Sequence, residues 1–229
     1  MMSVISNSNK AIDLIKSKRI LVFDFDGVLA DSVEVKTKAF AEIYKTYGCD
    51  VVERVVKHHR ENGGMSRYDK FKYYHNTFLE KDIDENALNN LSELFSNIVV
   101  DKVISSNEIT NSETFLKQYC KKESVSVVNS ATPTDEIVKI INARGIGSFF
   151  EEIYGSPSSK VENLIKIKNS FSIDYADGVF FGDAKSDFDA AQTVGMDFIG
   201  IGRGIANLLK NVEGQWLVFD DFSELIDRS

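Results

Sequence analysis

The sequence has 229 residues, of which 43% are hydrophobic and 27% charged, and this suits one globular domain or one domain with a smaller insert. The net charge of -8 and the lack of a long basic run argue against a nucleic-acid partner, and no segment is long and apolar enough to span a membrane. Two cysteines without CxxC spacing, and a polar amino-terminal segment without a secretory apolar core, predict a soluble, cytoplasmic protein.

The first predicted strand covers residues 19–23, a continuous apolar run that is typical of a buried parallel strand. Asp24 and Asp26 follow it directly. Two carboxylates two residues apart at the end of an extended segment point the same way, so both can address one centre. The alternative is that Asp26 and Gly27 only form a hairpin turn.

Residues 33–103, the helical insert, show apolar side chains at helical spacing and no strand pattern. An insert of this length after the first strand is too long for a simple crossover, and we expect it to cover the carboxyl ends of the strands, where α/β folds bind ligands. The predicted apolar stripes are Phe40, Ile43, Tyr44 and Tyr47; Phe71, Tyr74, His75 and Phe78; and Leu88, Leu91, Phe95 and Ile98.

A glycine-rich loop in the helical insert, residues 63–70, precedes a predicted helix with Ser66 as its N-cap. Arg67 follows the cap and is either a ligand-binding side chain or an exposed arginine at a helix start. His58 and His59 lie nearby without a two-histidine metal spacing, so we interpret them as surface or packing residues.

The second predicted strand, residues 124–129, is followed by Ser130 and by a predicted helix. Thr132 is the expected N-cap, Pro133 the first helical residue, Asp135 completes a capping box and Gly145 ends the helix. Ser130 can offer its hydroxyl group to an oxyanion, although plain helix capping is the simpler explanation of a single serine.

A weaker strand signal at residues 152–154 precedes Lys160, which is expected to open a helix. This lysine can act as a point cation for a phosphate or a buried carboxylate, although most lysines are simply solvated.

The strand predicted at residues 178–181 ends in Asp183 and Asp187. A calcium-loop interpretation fails, because Lys185 takes the third position and Phe188 the glycine position. Hard oxygen ligands without histidine or cysteine suit magnesium.

Two further strands are predicted at residues 198–201 and, at the edge, 217–219. Strands that alternate with helices predict an α/β fold with a doubly wound parallel sheet. We expect a core domain from residues 1–32 and 104–229, and an all-helical cap domain from residues 33–103.

Four motifs in chain order resemble those of the haloacid dehalogenase superfamily, in its phosphatase branch with a helical cap. DFDGVLADS is similar to the DxDx[TV] signature, VNSATP to the Ser/Thr motif, GSPSSK to the lysine motif and GDAKSD to the acidic metal motif. The resemblance extends from about residue 20 to residue 222 and implies a magnesium-dependent phosphatase that acts on a small phosphorylated metabolite.

The resemblance also implies roles for the acids. Asp24 is the nucleophile and a metal ligand, whereas Asp26 is the general acid and base and gives its backbone carbonyl to the metal. Asp183 and Asp187 complete the magnesium site, Asp187 directly or through water. A cation is expected on charge alone, since these carboxylates would repel both each other and a phosphate.

Ser130, Ala131 and Lys160 are implied to bind the phosphate. The loop at residues 63–70 resembles the GxSR substrate loop of β-phosphoglucomutase, which implies substrate contacts for Gly64 and Arg67. The loop favours a sugar phosphate, and we expect the substrate to be a sugar phosphate or a phosphoglycolate-like monoester. The sequence indicates no oligomeric state.

Three alternative functions each differ from the expected phosphatase in a specific residue or segment. A phosphomutase carries a histidine where Lys36 stands and lacks the acid at Asp187, so both positions favour a hydrolase. A dehalogenase lacks the paired Asp26. A phospho-receiver domain also uses an aspartate on a parallel sheet, but it has no helical insert of seventy residues.

Overall fold

A six-stranded parallel sheet forms the centre of the protein in the computed structural model, which describes residues 7–120 and 124–227. The strands are β1 (Ile20–Phe23), β2 (Val125–Pro133), β3 (Glu152–Ser156), β4 (Gly178–Gly182), β5 (Asp197–Ile201) and β6 (Leu217–Phe219). Their spatial order is β3-β2-β1-β4-β5-β6, and every pair of neighbours is parallel. All six predicted strands are confirmed, including the edge strand.

Ten α-helices lie in the described parts of the chain, and none of them is long and apolar enough to cross a membrane. They are α1 (Asn7–Ser17), α2 (Val33–Tyr44), α3 (Cys49–Glu61), α4 (Arg67–Tyr73), α5 (Glu85–Ile104), α6 (Ser112–Tyr119), α7 (Thr134–Ala143), α8 (Lys160–Phe171), α9 (Lys185–Val194) and α10 (Arg203–Leu209).

Both faces of the sheet are covered by helices, which explains why its central strands are apolar throughout. Leu21 and Phe23 of β1 pack into one hydrophobic cluster with α1, α6 and α7, and Ile20 and Val22 pack into a second with α8, α9 and α10. The doubly wound fold predicted from the alternating pattern is therefore confirmed.

The helical insert contains α2, α3, α4 and most of α5, and a π-helical turn, Tyr74–Phe78, follows α4. Phe40 lies at its centre, with its ring 5.5 Å from that of Phe71 and 4.5 Å from that of Phe95. One assignment was wrong: α2 ends at Tyr44, so Tyr47 lies beyond it and is 45% exposed. The division into two domains stays a prediction.

The start of α7 also differs from the prediction. Strand β2 continues to Pro133, which pairs with Ser156 of β3 after an irregular register, and the helix begins only at Thr134. Thr132 is therefore not the N-cap, and no side chain caps this helix. Gly145, with φ of +73°, follows the end of the helix as expected.

Gly155 in β3 lies where β2 gives way to α7, and a Cβ atom there would be 2.4 Å from the Thr132 carbonyl oxygen and 2.7 Å from the Thr134 nitrogen. Since both contacts are with backbone, we expect Gly155→Ala to lower the free energy of unfolding by about 1–3 kcal/mol. Urea unfolding measures the change.

The matched control for this substitution is Gly204→Ala in α10, where nothing lies within 4 Å of an added Cβ. The control should instead stabilise the protein by about 0.4–1 kcal/mol, because alanine restricts the unfolded chain. Equal stability of the two variants would contradict the close packing at Gly155.

Candidate active site

The carboxyl ends of β1, β2 and β4, together with the start of α8, bring the predicted acids and lysine together. Asp24 follows β1, Asp183 and Asp187 follow β4, and Lys160 is the first residue of α8. Since β1 lies between β2 and β4, the loops after these strands meet. One carboxylate oxygen from each of Asp24, Asp183 and Asp187 lies within 4.8 Å of the other two.

Lys160 is buried among these acids. Its Nζ lies 3.0 Å from Asp24 Oδ2 and also contacts Asp187 Oδ1. The second oxygen of Asp187 accepts a hydrogen bond from the Ala184 N–H at 3.0 Å, so both its oxygens are engaged. In contrast, Asp24 Oδ1 is buried and makes no hydrogen bond. Asp24 therefore keeps one oxygen for another partner.

The electrostatics of the cluster follow from burial and repulsion. Burial raises the pKa of Asp24 to about 7, with Lys160 opposing the shift and Asp187 adding to it. Burial and the charge of Asp24 likewise hold the pKa of Asp183 well above its usual value. The pKa of Lys160 is raised, because attraction to Asp187 and Asp24 outweighs its burial.

This donor set fits a divalent magnesium ion. Its ligands would be oxygen atoms only. Lys160 contacts two of the three carboxylates, and the unpartnered Asp24 Oδ1 is available.

Asp26 turns into the same cavity and is held by three donors. Its carboxylate accepts hydrogen bonds from Ser32 Oγ at 2.5 Å, from Thr132 Oγ1 at 3.2 Å and from Lys36 Nζ. Burial acts to raise its pKa, but Lys36 and these hydrogen bonds hold the pKa below its usual value. Asp26 does lie in a turn, but no antiparallel strand follows, so the simple hairpin interpretation is wrong.

Lys36 is a contact that sequence reasoning missed, since it was noted only as a departure from the phosphomutase pattern. Its Nζ also donates to Thr132 Oγ1 at 2.7 Å. A signal was available: Lys36 lies four residues after Ser32, which places both side chains on one face of the first turn of α2.

Ser130 is buried in β2, and its Oγ accepts a hydrogen bond from the Thr132 N–H at 3.1 Å. The hydroxyl proton of Ser130 stays available for an anion. Ala131 lines the cavity that contains Asp24 and also the neighbouring groove that contains Lys160. Lys160 opens α8 as predicted, behind the N-cap Ser159, and is not a solvated lysine.

The helical insert forms the other wall of this cavity, with Lys36, His59, Gly64, Arg67 and Lys70 facing Asp24, Asp26 and Asp183. Gly64 packs against α9, where an added Cβ would lie 1.7 Å from Ser186 Oγ. His59 is buried against the ring of Phe40, whereas His58 stacks on Tyr73 with ring centroids 4.2 Å apart. His58 is therefore a packing residue, whereas His59 both packs against Phe40 and faces the cavity.

Arg67 is 5% exposed, so the interpretation as an exposed helix-start arginine is wrong. Its Nη1 lies 2.9 Å from Glu136 Oε2 and 2.6 Å from Ser96 Oγ, and its Nη2 contacts Glu136 Oε1. The guanidinium group also lies 4.6 Å from the centre of the Phe95 ring. Sequence reasoning missed Glu136, which lies 69 residues away with no local signal.

Comparisons with known proteins agree with the fold. The family model of haloacid dehalogenase-like hydrolases matches residues 21–201. A phosphoglycolate phosphatase from Psychrobacter arcticus is 24% identical over 92% of this chain and 95% of its own.

Two solved structures share the fold. A β-phosphoglucomutase from Clostridium difficile has a TM-score of 0.75 at 20% identity, over 91% of this chain and 93% of its own. A predicted phosphoglycolate phosphatase from Haemophilus somnus has a TM-score of 0.70 at 20% identity, over 91% and 96%.

The doubly wound sheet with acids at its carboxyl edge defines an α/β enzyme with a metal-compatible site. The chain belongs to the haloacid dehalogenase-like hydrolase family. This confirms the resemblance predicted from the four motifs, and it leaves the phospho-receiver alternative without support.

We expect Asp183→Asn to raise the free energy of unfolding of the metal-free protein at about pH 8, by about 1–2 kcal/mol, because one of three mutually repelling carboxylates loses its charge. The gain should shrink toward about pH 5. Since the folded-state pKa values of Asp24 and Asp183 are raised, the wild-type protein takes up protons as the pH falls and its repulsion disappears.

Urea unfolding in the presence of a chelator at both pH values checks this expectation. Asp189→Asn, an exposed residue paired with Lys185, is the matched control and should change little. A variant of Asp183 that is less stable than wild type at the higher pH would show that repulsion does not dominate the cluster.

Proposed function

We propose that the protein is a magnesium-dependent phosphatase that hydrolyses a small phosphorylated metabolite, a sugar phosphate or a phosphoglycolate-like monoester, with Asp24 as nucleophile. The observation that carries the proposal is the set of surroundings of the two carboxylate oxygens of Asp24. One of its oxygens contacts Lys160, and the other is buried without a partner beside Asp183 and Asp187. The names of the relatives add support for a phosphate ester as substrate.

In the proposed first step, an Asp24 oxygen forms a bond to phosphorus while the bond between phosphorus and the leaving oxygen breaks, which gives a phosphoaspartate. Asp26 donates a proton to the leaving alkoxide. In the second step, Asp26 accepts a proton from water as the water attacks the phosphoaspartate and releases Asp24.

The surroundings of Asp26 favour its ionised form, because Lys36, Ser32 and Thr132 all donate to it. The conformation described here therefore suits the base of the second step. For the first step Asp26 must carry a proton, and an arriving phosphate dianion raises its pKa by repulsion.

Magnesium, when held by Asp24, the Asp26 backbone carbonyl, Asp183 and Asp187, supplies charge neutralisation and polarisation of the phosphoryl group. Asp187 would act through water or after Lys160 shifts, because both its oxygens are engaged.

Ser130 and Ala131, with Lys160, are proposed to bind the phosphoryl oxygens. The Ser130 hydroxyl is buried beside this region with its proton free, and Lys160 supplies a fixed positive charge. The charge of Lys160 also favours the attack of Asp24 on an anionic phosphate, because it screens the repulsion between them.

We further propose that residues 33–103 act as a cap domain over a core of residues 1–32 and 104–229. The cavity has one wall from each part, which supports this division. Gly64 and Arg67 remain proposed substrate residues, and a substrate group that reached Arg67 would compete with Glu136.

Asp24→Asn should abolish turnover while the fold is kept. An amide is nearly the same size as the carboxylate, but it cannot act as the nucleophile, and the loss in kcat should exceed about a thousandfold. Steady-state kinetics with an aryl phosphate, together with a thermal melt, measure activity and folding. Substantial activity in a folded, pure variant would remove Asp24 from the mechanism.

Removal of metal by a chelator should stop turnover, and excess magnesium should restore it whereas calcium should not. Calcium prefers more ligands at longer distances and would misplace the phosphoryl group. Phosphate release after dialysis and re-addition of each ion is the measurement. Full activity in excess chelator would contradict the metal requirement.

A further inference from the structure

Lys70 of α4 is a buried cation without a counter-ion in the cavity wall. It is 1% exposed, and among the residues that the structure describes no carboxylate lies within ion-pair distance of it. The other cations in and beside the cavity are matched. Lys160 pairs with Asp24 and Asp187, Lys36 pairs with Asp26, and Arg67 pairs with Glu136.

The contacts that Lys70 does make are with neutral groups. Its Nζ lies 2.8 Å from His59 Nδ1 and 3.4 Å from the Gly63 carbonyl oxygen, and 5.6 Å from the centre of the Phe40 ring. His59 is neutral, because burial and the charges of Lys70 and Lys36 lower its pKa to about 2. An ammonium group has three donors, so Lys70 has one left.

Burial of an ammonium group without an anion is unfavourable, and the protein tolerates it here in the wall of the cavity that contains Asp24. Burial, with repulsion from Lys36, lowers the pKa of Lys70 to about 7, although the more distant carboxylates of Asp26 and Asp183 oppose the shift. An anion in the cavity next to Nζ would offset the cost of burying the ammonium group and would raise the pKa of Lys70. His59 fixes the position of the ammonium group but supplies no charge to balance it.

We infer that Lys70, positioned by His59, binds a carboxylate of the substrate, so that the enzyme prefers phosphate esters of hydroxy acids over phosphate esters that carry only hydroxyl groups. This inference rests on the proposed phosphatase function and names the substrate class of the same site.

The charges of the cavity indicate which substrate group would lie beside Lys70: a hydroxyl, a second phosphate or a carboxylate. A hydroxyl group would leave the Lys70 charge unbalanced. A second phosphate is a dianion and would require more than one available cation, whereas Arg67 is already held by two contacts to Glu136. A carboxylate carries the single negative charge that matches one ammonium group.

The test compares two esters that differ in one group, 2-phosphoglycolate and 2-hydroxyethyl phosphate, and a larger pair, 3-phosphoglycerate and glycerol 1-phosphate. The wild-type enzyme should show a higher kcat/KM for the carboxylate ester in at least one pair, by about 10–100-fold, the range expected for one charge-assisted contact. This comparison uses only the wild-type enzyme. A kcat/KM ratio near one between the two esters in both pairs would overturn the inference.

Lys70→Met should lower the same ratio by about 10–100-fold, because it removes the charge and keeps most of the side-chain length. The variant is expected to fold, since a buried unbalanced charge is lost. Lys72→Met, an exposed lysine on the same helix, is the matched control and should keep the wild-type ratio. An unchanged ratio in Lys70→Met would overturn the inference.

His59 is a positioning residue in this proposal, and its variants distinguish that role from packing. His59→Leu should raise KM for the carboxylate ester more than it lowers kcat, whereas His59→Gln, which keeps an acceptor for Lys70, should restore the selectivity. Equal ratios for the leucine and glutamine variants would remove His59 from the subsite.

Turnover of an aryl phosphate tests the proposed phosphatase activity separately from the carboxylate subsite. If the wild-type protein with magnesium does not hydrolyse an aryl phosphate or any of the four esters, the phosphatase proposal fails. If it hydrolyses them without the selectivity described, the carboxylate subsite alone fails.

Discussion

The contact of Lys160 with Asp24 and Asp187 is the interaction on which the site depends. Three carboxylates within 4.8 Å of one another, at the closely packed edge of a sheet, would disfavour folding without a compensating charge. Lys160 is in place before any ligand arrives, because α8 begins at this residue behind a capping box made by Ser159 and Glu162. The cluster can thus persist without metal, and Asp24 still has a buried oxygen without a partner that a divalent ion could use.

The strands and the acids could be predicted because their signals are local. A strand covered on both faces is a continuous apolar run, and a side chain just after such a run must lie at the carboxyl edge of the sheet. The contact of Arg67 with Glu136, from the helical insert, could not be predicted. Arg67 meets Glu136 across 69 residues, and periodicity does not tell how α4 is rotated against α7. The start of α7 was misplaced because pairing of β2 with β3 outweighed a local capping signal at Thr132.

The charged residues of the cavity show how the helical insert and the core are joined. Lys36 and Arg67 of the insert reach Asp26 and Glu136 of the core, so two ion pairs bridge the two walls. Removal of one partner of a buried ion pair strongly destabilises a protein, because it leaves the other charge buried and unpaired. The position of the helical insert is therefore tied to the ionisation of Asp26.

Gly64 has a further consequence for how the two walls can move. A methyl group at this position would meet Ser186 Cβ at 2.9 Å even after the serine hydroxyl had rotated away. Any larger side chain would have to push the loop off the start of α9. The size of the side chain at position 64 therefore sets how closely this loop can approach α9. A series of substitutions with side chains of increasing size should hold the loop at increasing distances from α9, and so widen the cavity in steps.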